Sequence, residues 1–368
     1  MMGIKKNLKV FIIAGEVSGD VLSAKIMQNM PGVEFVGIGG QNMTLAGLKS
    51  LFPMSDLSVM GIVEVLSRAH TLTKRIKQTV SAIIKEKPDV VLTIDSPGFA
   101  KSVVKGVKKT GLLNTTKFYH VVAPQVWAWG ARRAGKYAKI FDRLYAFFDF
   151  EKPYFEKYGL PVVVVGHPIS DGLEKYKRTA KNEKIITFIP GSRMSEVKKM
   201  LPLFRETVDR LDKSYKFVIP TVETTDEYIR NYIKQWRTQP ELVSSEKRYN
   251  IYANTYIAVA ASGTVSAELA MMHIPTIVVY KMNPLTLLLA RMLIRVKWVS
   301  LVNILMNKTI FPELLGKSAN PTEIFNQIHK LMQNKNRNQM ISDLKSADYQ
   351  WTHDGKNAAK LIAVDILS

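Results

Sequence analysis

Short apolar runs alternate along the whole chain with longer segments of helical periodicity. The clearest unit begins at Ile185, where a β-rich apolar run leads into the turn Gly191-Ser192-Arg193 and then into a helical pattern over 194–211. Repeated strand and helix units of this kind predict α/β domains with parallel sheets. We predict strands at 9–14, 35–38, 89–94, 117–122, 143–148 and 162–165, and again near 185 and at 216–220, 255–260 and 274–280.

The alternation falls into two sets, which a polar, lysine-containing stretch separates. At 368 residues the chain is too long for one ordinary core and suits two domains. The sequence therefore predicts an N-terminal Rossmann-like domain at 1–170, a linker at 171–184 and a second Rossmann-like domain at 185–335. The two doubly wound sheets are expected to face a cleft, and helices at 336–368 to pack back on the first domain.

Two turns of small residues in the second half precede helices, and each is a candidate anion site. Backbone N–H groups at a helix N-terminus attract phosphate, and Arg193 adds a forked, permanently charged donor to the first turn. The alternative for that turn is a helix cap with a surface arginine. The second turn, Ser262-Gly263-Thr264, is followed by Glu268, which could accept hydrogen bonds from a ribose diol or could be a solvated helix residue.

The first half carries polar residues of its own directly after the first predicted strand. This predicted loop contains Gly15, Glu16, Ser18 and Gly19. Because the glutamate is negatively charged, the loop is better suited to bind hydroxyls than phosphate. Ser18 or Asp20 could cap the following helix, which we predict at 21–30. The loop is therefore a candidate site for a neutral part of a substrate.

Two further strand ends in the first half carry candidate site residues. Asp95 follows the strand 89–94, at the sheet edge where catalytic groups of open α/β folds sit. It could be a general base, or it could form an Asx turn before the next helix. Gln125 and Trp127 lie in the loop after the strand 117–122, where they could wall a ligand site or fasten the loop to the core.

Composition and charge exclude some kinds of site and indicate the kind of partner. The chain has no cysteine, which excludes disulfides, thiolate metal sites and cysteine nucleophiles. The 52 Lys and Arg against 31 Asp and Glu give a net charge of +21, which indicates an anionic partner. Nucleic acid, an acidic membrane face and phosphorylated substrates all fit, with simple solubility as the alternative. No nucleic-acid recognition motif is present, so we expect no nucleic-acid partner.

Two stretches combine apolar and basic residues in a manner typical of interfacial membrane segments. One is the helical pattern over 59–85, and the other is the leucine-rich segment 284–302. Neither suits a bilayer span, and the first apolar run of the chain ends too early for a signal peptide. Ordinary domain packing is the alternative. The predicted membrane patch consists of Ile62, Val63, Val65, Leu66 and Arg68.

Taken together, the motifs resemble those of the lipid-A-disaccharide synthases, inverting glycosyltransferases of the GT-B type with two Rossmann-like domains. The resemblance is ordered along nearly the whole chain. Its segments are 14–20 (AGEVSGD), 59–66 (VMGIVEVL), 94–97 (IDSP), 124–129 (PQVWAW), 166–168 (GHP), 190–193 (PGSR), 261–264 (ASGT) and 312–315 (PELL).

The resemblance implies transfer of 2,3-diacylglucosamine from its UDP ester to the 6-hydroxyl of 2,3-diacylglucosamine 1-phosphate, with inversion at the anomeric carbon and release of UDP. It also suggests a homodimer and a peripheral position on the cytoplasmic face of the inner membrane. No cofactor is expected, and we predict metal independence because a helix N-terminus and an arginine can hold a diphosphate. The candidate base is Asp95, and the donor-side residues are Arg193, Ser262, Gly263, Thr264, Glu268 and Asn303.

Four positions depart from the family pattern. The family often has an aspartate at position 98 and a serine at 123, whereas this chain has Gly98 and Ala123. It often has a proline at 302 and a glutamine at 316, whereas this chain has Val302 and Gly316. The last two leave the role of Asn303 open. Competing hypotheses are another GT-B enzyme, such as a transferase to a soluble sugar or a UDP-sugar epimerase, a basic nucleic-acid-binding protein, and a membrane-surface scaffold.

Overall fold

A computed structural model describes residues 8–57, 69–173, 176, 184–261, 263–281, 297–352 and 357–368. The chain divides into two compact units. The first unit comprises Met1–Pro168 together with Thr352–Ser368, and the second comprises Ile169–Trp351. The predicted membrane patch at 62–68 lies outside the described residues, as do Ser262 and most of the leucine-rich segment.

The first unit is built on a six-stranded parallel sheet with the strand order β2-β1-β3-β4-β5-β6. Alternate residues of β1 enter the hydrophobic cores on opposite faces, Phe11 and Ile13 on one and Val10 and Ile12 on the other. Burial on both faces explains why this strand is a continuous apolar run. The strands are β1 Lys9–Ala14, β2 Glu34–Ile38, β3 Val90–Ile94, β4 Lys117–Val121, β5 Arg143–Ala146 and β6 Val162–Val164.

The second unit repeats this plan with the strand order β12-β11-β10-β7-β8-β9, again all parallel. The order places β7 and β10, whose carboxyl ends carry the two predicted anion-binding turns, side by side at the centre of the sheet. The strands are β7 Ile185–Ile189, β8 Lys216–Thr221, β9 Glu241–Ser244, β10 Thr255–Ala261, β11 Thr276–Tyr280 and β12 Glu313–Leu315.

Helices connect the strands in both units. In the first unit they are Val17–Gln28, Gln41–Leu45, Ala69–Glu86, Pro97–Thr110, Ala134–Ala138, Lys152–Glu156 and Ala358–Leu367, with 3-10 turns at Met54–Asp56, Ala131–Arg133 and Asp149–Glu151. In the second unit they are Met194–Val208, Glu223–Ile233, Arg248–Asn254, Thr264–Met271, Leu301–Met306, Pro321–Met332 and Asn334–Ser346, with 3-10 turns at Ser245–Lys247 and Gly316–Ser318. The 3-10 turn Pro168–Ser170 and the helix Asp348–Thr352 lie where the units meet in sequence. None of the described helices has the length and apolar character needed to cross a membrane.

The helix Ala358–Leu367 packs against the helix Val17–Gln28, although more than three hundred residues separate them in sequence. Ala358, Ala359 and Ile362 are fully or almost fully buried in the core on one face of the first sheet. Asp365 fastens the helix, because its carboxylate accepts hydrogen bonds from the hydroxyl of Tyr145 and the guanidinium of Arg143, both on β5. The last helix is therefore an integral part of the first unit.

The predicted fold class, α/β of the GT-B type, is confirmed by two parallel sheets with helical connections. The sequence patterns did not predict β9 and β12, which are the edge strands of the second sheet. Each is short, and each carries polar residues such as Glu241 and Glu313. The predicted start of the first helix was also wrong, because the helix begins at Val17 rather than at residue 21.

Candidate active site

A cavity of about 360 Å³ lies in the second unit beyond the carboxyl ends of β7, β8, β9 and β10. This is the edge of an open parallel sheet at which ligands bind, because the helix N-termini converge there. The cavity wall brings together both predicted anion-binding turns, through Gly191, Arg193, Gly263 and Thr264, together with Glu268. The strand order thus unites residues that are 77 positions apart in sequence, from 191 to 268.

The turn after β7 has a backbone shape that requires glycine. Gly191 adopts φ +105°, and a Cβ there would lie 2.5 Å from Oε2 of Glu196. Arg193 is the N-cap residue of the helix Met194–Val208, and its Nη1 donates to Oε1 of Glu196 at 3.0 Å. The side chain of Arg193 is 58% exposed, so the paired guanidinium remains accessible from the cavity.

The turn after β10 leads directly into the helix Thr264–Met271, with Gly263 at the N-cap. Ser266 stabilises this turn, because its hydroxyl donates to the carbonyl oxygen of Gly263 at 2.7 Å. Gly263 and Thr264 line the cavity, whereas Ser262 lies outside the described residues. The N-terminus of this helix therefore supplies part of the cavity wall.

Glu268 is the buried acid of the cavity, with 8% of the residue exposed. Its Oε1 accepts a hydrogen bond from the hydroxyl of Tyr249 at 2.8 Å and a longer one from Nη2 of Arg248 at 3.4 Å. Burial raises the pKa of Tyr249 to about 12, and the charge of Glu268 acts in the same direction. Within the described part of the chain, both hydrogen-bond donors to Glu268 bind its Oε1, so Oε2 is available to accept a hydrogen bond from a ligand.

Arg248 was not predicted from the sequence, yet it lines the cavity beside Glu268. Its Nη1 donates to the carbonyl oxygen of Ser245 at 3.0 Å, and its guanidinium carbon lies 4.3 Å from the ring centroid of Tyr249. Arg248 begins the helix that follows β9. Because β9 itself gave no clear sequence pattern, nothing in the sequence marked the residues after it as lying at the sheet's carboxyl edge.

Asn303 is completely buried and all its hydrogen-bonding positions are used within the protein. Its Nδ2 donates to the carbonyl oxygen of Phe311 and to Glu313, and its Oδ1 accepts from the backbone N–H groups of Ile310 and Phe311. An amide side chain offers two donor and two acceptor positions, so none remains for a ligand in this conformation. The geometry gives Asn303 the role of holding the 310–313 segment next to β12.

Asp95 follows β3 in the first unit, in a turn with an uncommon backbone shape. Asp95 and Ser96 adopt φ +55° and +43°, a region that costs non-glycine residues about 1–3 kcal/mol each. The neighbouring Gly15 permits this turn, because a Cβ on Gly15 would overlap the hydroxyl of Ser96. The structure thus brings Gly15, after β1, next to Ser96 in the turn that contains Asp95.

The carboxylate of Asp95 is half-buried, and the backbone N–H of Ser96 donates to its Oδ1 at 2.8 Å. Burial raises the pKa of Asp95, and the hydrogen bond from Ser96 only partly offsets that effect. A carboxylate with a raised pKa is a stronger base than an ordinary one. Burial therefore makes Asp95 a stronger base than an exposed aspartate.

The first helix, which follows β1, has a different N-cap residue from the two that were predicted. Glu16 is the N-cap of the helix Val17–Gln28, and neither Ser18 nor Asp20 caps it. Asp20 instead accepts hydrogen bonds from the backbone N–H groups of Gly40, Asn42 and Met43, at the start of the helix Gln41–Leu45. Glu16 is half-buried, Ser18 is exposed and Gly19 is buried, so only the first two present side chains toward solvent.

The loop after β4 places Trp127 against a buried carboxylate. The indole N–H of Trp127 donates to Oε1 of Glu151 at 3.3 Å, and its ring packs edge-on against Phe150 at 5.2 Å. Gln125 is exposed in the same loop. Burial raises the pKa of Glu151 to about 7, although the N–H groups of Phe148, Trp127 and Phe147 oppose this shift. Sequence reasoning missed Glu151, which gave no signal beyond an ordinary surface-type residue.

We expect the burial of Glu151 to make the free energy of unfolding pH-dependent. Between pH 4.5 and about 7, the folded protein holds a proton on this group that the unfolded chain has released. Stability therefore falls as the pH rises through this interval, by on the order of 3 kcal/mol. Glu151→Gln should abolish this contribution. Urea unfolding of both proteins from pH 4 to 8 gives the difference between their stability curves, and parallel curves would contradict the assignment.

Within the described parts of the chain, no group of three or more histidine and carboxylate side chains is arranged to hold a metal ion.

Comparisons with known proteins agree with the motifs. A family profile described as "Lipid-A-disaccharide synthetase" matches residues 10–366. The chain is 38% identical to the lipid-A-disaccharide synthase of Rhodospirillum centenum, over 95% of this chain and 91% of that protein. It is 40% identical to the lipid-A-disaccharide synthase of Rickettsia canadensis, over 88% of this chain and 87% of that protein.

Solved structures with similar folds are more distant in sequence. UDP-GlcNAc 2-epimerase from Neisseria meningitidis, solved with UDP-GlcNAc bound, gives a TM-score of 0.63 at 15% identity and covers 98% of this chain and 99% of that one. MurG from Acinetobacter baumannii gives 0.61 at 12% identity, with coverage of 98% and 99%. At such identities the likeness shows the GT-B fold alone.

The family match extends through both units and includes every segment on which the sequence resemblance rests. The chain belongs to the lipid-A-disaccharide synthase family.

Proposed function

We propose that this glycosyltransferase of lipid A biosynthesis transfers 2,3-diacylglucosamine from UDP to the 6-hydroxyl of 2,3-diacylglucosamine 1-phosphate. The observation that carries the proposal is the family match over residues 10–366. The products are a β-1,6-linked disaccharide 1-phosphate and UDP. The residue roles below rest on the geometry of the two sheet edges.

The cavity of the second unit is the proposed site for the UDP part of the donor. Glu268 has one carboxylate oxygen held by Tyr249 and Arg248, and the other is suited to accept hydrogen bonds from ribose hydroxyls. Gly263 and Thr264, at the start of a helix, and the turn 191–193 suit the diphosphate, because backbone N–H groups and a guanidinium both favour anions. Asn303 acts indirectly in this scheme, through the segment that it fastens.

Asp95 is the proposed general base. In the reaction, the acceptor O6 forms a bond to the anomeric carbon while the bond from that carbon to the β-phosphate oxygen breaks. The proton of the hydroxyl passes to Asp95, and the electron pair of the broken bond stays on UDP. A basic carboxylate at the acceptor and fixed positive charge at the departing UDP are therefore the two requirements, and both lower the transition-state energy.

We also propose that the acceptor contacts the segment Gly15–Gly19, where the first helix begins, and the loop that contains Gln125 and Trp127, and that no metal is needed. The support for the acceptor site is the contact between Gly15 and the Asp95 turn. The support for metal independence is that Arg193 and a helix N-terminus already supply positive charge to the cavity. A peripheral position on an anionic membrane face is consistent with the net charge of +21, and a homodimer stays a prediction of the resemblance.

The decisive experiment is incubation of the purified chain with the two acylated sugars in detergent and EDTA, followed by mass spectrometry. The expected product is the tetra-acylated disaccharide 1-phosphate, together with UDP. A repeat with vesicles of anionic lipid in place of detergent should show product and protein that sediments with the vesicles. The absence of product with both substrates present would refute the proposed reaction, and product that forms only without EDTA would refute metal independence.

A further inference from the structure

A second, smaller cavity of about 150 Å³ adjoins the first, beyond the carboxyl ends of β7, β10 and β11. Arg193, Glu196 and Ala261 line both cavities, so the two share a wall. The smaller cavity adds Lys199, from the helix Met194–Val208, and Lys281, directly after β11. Neither lysine was singled out by the sequence patterns or by the family resemblance.

The two cavities differ in charge. In the smaller one, Arg193, Lys199 and Lys281 face the single carboxylate of Glu196, which already accepts a hydrogen bond from Arg193. Three positive groups and one negative group leave a net charge of +2 on the lining residues. Within the described parts of the chain, neither Lys199 nor Lys281 forms an ion pair with a carboxylate. Such a surplus of positive charge in a concave site attracts anions.

The position of this charge suggests which part of the donor it binds. If the nucleoside occupies the larger cavity beside Glu268, the diphosphate extends past Arg193 on the shared wall, and its terminal phosphate is the group nearest the smaller cavity. We propose that Lys199 and Lys281 bind the β-phosphate of the UDP donor and stabilise it as it leaves. This inference rests on the proposed function and assigns two further residues to that same site.

The chemistry of the reaction makes these lysines more important in the transition state than in the ground state. As the bond between the anomeric carbon and the β-phosphate oxygen breaks, that oxygen gains the bonding electron pair, and UDP gains one negative charge. Positive groups next to it therefore bind the transition state more tightly than the intact donor. We expect both lysines to affect turnover as well as donor binding.

Binding of UDP and UMP separates this proposal from general electrostatics, because UMP lacks the β-phosphate. We expect Lys199→Ala and Lys281→Ala each to weaken UDP binding about tenfold, as measured by calorimetry, and to leave UMP binding near the wild-type value. Lys199→Arg and Lys281→Arg should retain most of the UDP affinity. Lys198→Ala is the matched control, since Lys198 is the neighbouring lysine on the same helix and does not line the cavity.

Two results for the variants would overturn the inference. Equal losses for UMP and UDP would indicate long-range charge or a disturbed fold, and unchanged UDP binding would show that the lysines do not meet the β-phosphate. Unchanged UDP binding with a raised KM for the acceptor would assign the cavity to the acceptor's 1-phosphate. A wild-type protein that binds neither nucleotide would instead contradict the proposed function, so the two failures remain distinguishable.

Discussion

Asp95→Asn is expected to lower kcat by about 10²- to 10⁴-fold and to leave the affinity for UDP unchanged. The magnitude is that of a lost general base, since asparagine keeps the size of the side chain but cannot take the proton. UDP affinity should persist because the residues proposed to bind the nucleotide belong to the second unit. Steady-state rates of disaccharide formation and calorimetric UDP binding measure the two quantities separately.

A matched control for this substitution is Asp89→Asn. Asp89 precedes β3, at the end of the strand opposite to Asp95, and its Oδ2 accepts a hydrogen bond from the backbone N–H of Lys9. An asparagine can accept the same bond, so turnover should stay at the wild-type level. Because the pKa of Asp95 is raised, the wild-type rate should fall with decreasing pH before an ordinary aspartate would protonate. Unchanged turnover in Asp95→Asn would remove this residue from the role of base.

Arg193→Ala is expected to weaken UDP binding and to lower turnover, each by about 10- to 100-fold, which corresponds to the loss of a charged hydrogen bond. The substitution removes the guanidinium from both cavities and leaves Glu196 without this ion pair beside the proposed anion site. Lysine should restore only part of the activity, because an ammonium lacks the forked geometry of a guanidinium. Calorimetry with UDP and initial rates with both substrates provide the measurements.

Arg205→Ala is the control for this second prediction. Arg205 lies in the last turn of the helix Met194–Val208, whereas Arg193 is the N-cap of the same helix. Its loss changes the net charge equally but should leave UDP binding and turnover intact. Equal effects of the two substitutions would mean that Arg193 acts through net charge alone.

The fold could be predicted from the sequence because the central strands of both sheets are buried on two faces. Strands such as β1 and β7 must then be continuous apolar runs, which stand out against the amphipathic helices between them. The edge strands β9 and β12 lack this signal, since four and three residues with a polar member do not form a recognisable pattern. In the second sheet, the sequence therefore predicted the inner strands and missed the two edge strands.

The site was predictable only as far as it lies at the ends of central strands. The turns at 191–193 and 263–264, which the sequence indicated as separate candidate anion sites, follow β7 and β10 and line one cavity. Arg248 follows the unpredicted edge strand β9, and Lys281 follows β11, which the sequence did predict; neither carries a recognisable turn motif. The contacts of Asp20 could not be predicted from the sequence either, because its hydrogen bonds with Gly40 and Asn42 depend on packing between two helices.

Asn303 shows that a residue can fit a family motif while its hydrogen-bonding positions are all used within the protein. Its four hydrogen bonds link the helix Leu301–Met306 to the segment that ends in Glu313, and Glu313 also accepts from the backbone N–H groups of Val299 and Ser300. The motif 312–315 and Asn303 therefore form one local network. Sequence alone gives the residues of such a network but not which of them remain available to a substrate.

The attachment of the helix Ala358–Leu367 to β5 has a consequence for biosynthesis. The ribosome completes the entire second unit, up to Trp351, before it makes the helix that packs against Val17–Gln28 in the first. A nascent chain halted before residue 358 should therefore expose apolar surface on its earliest-made unit and be cleaved there by added protease, whereas its later-made unit resists. We therefore expect the unit that is made first to complete its fold last, and chaperones to bind the amino-terminal half for longest.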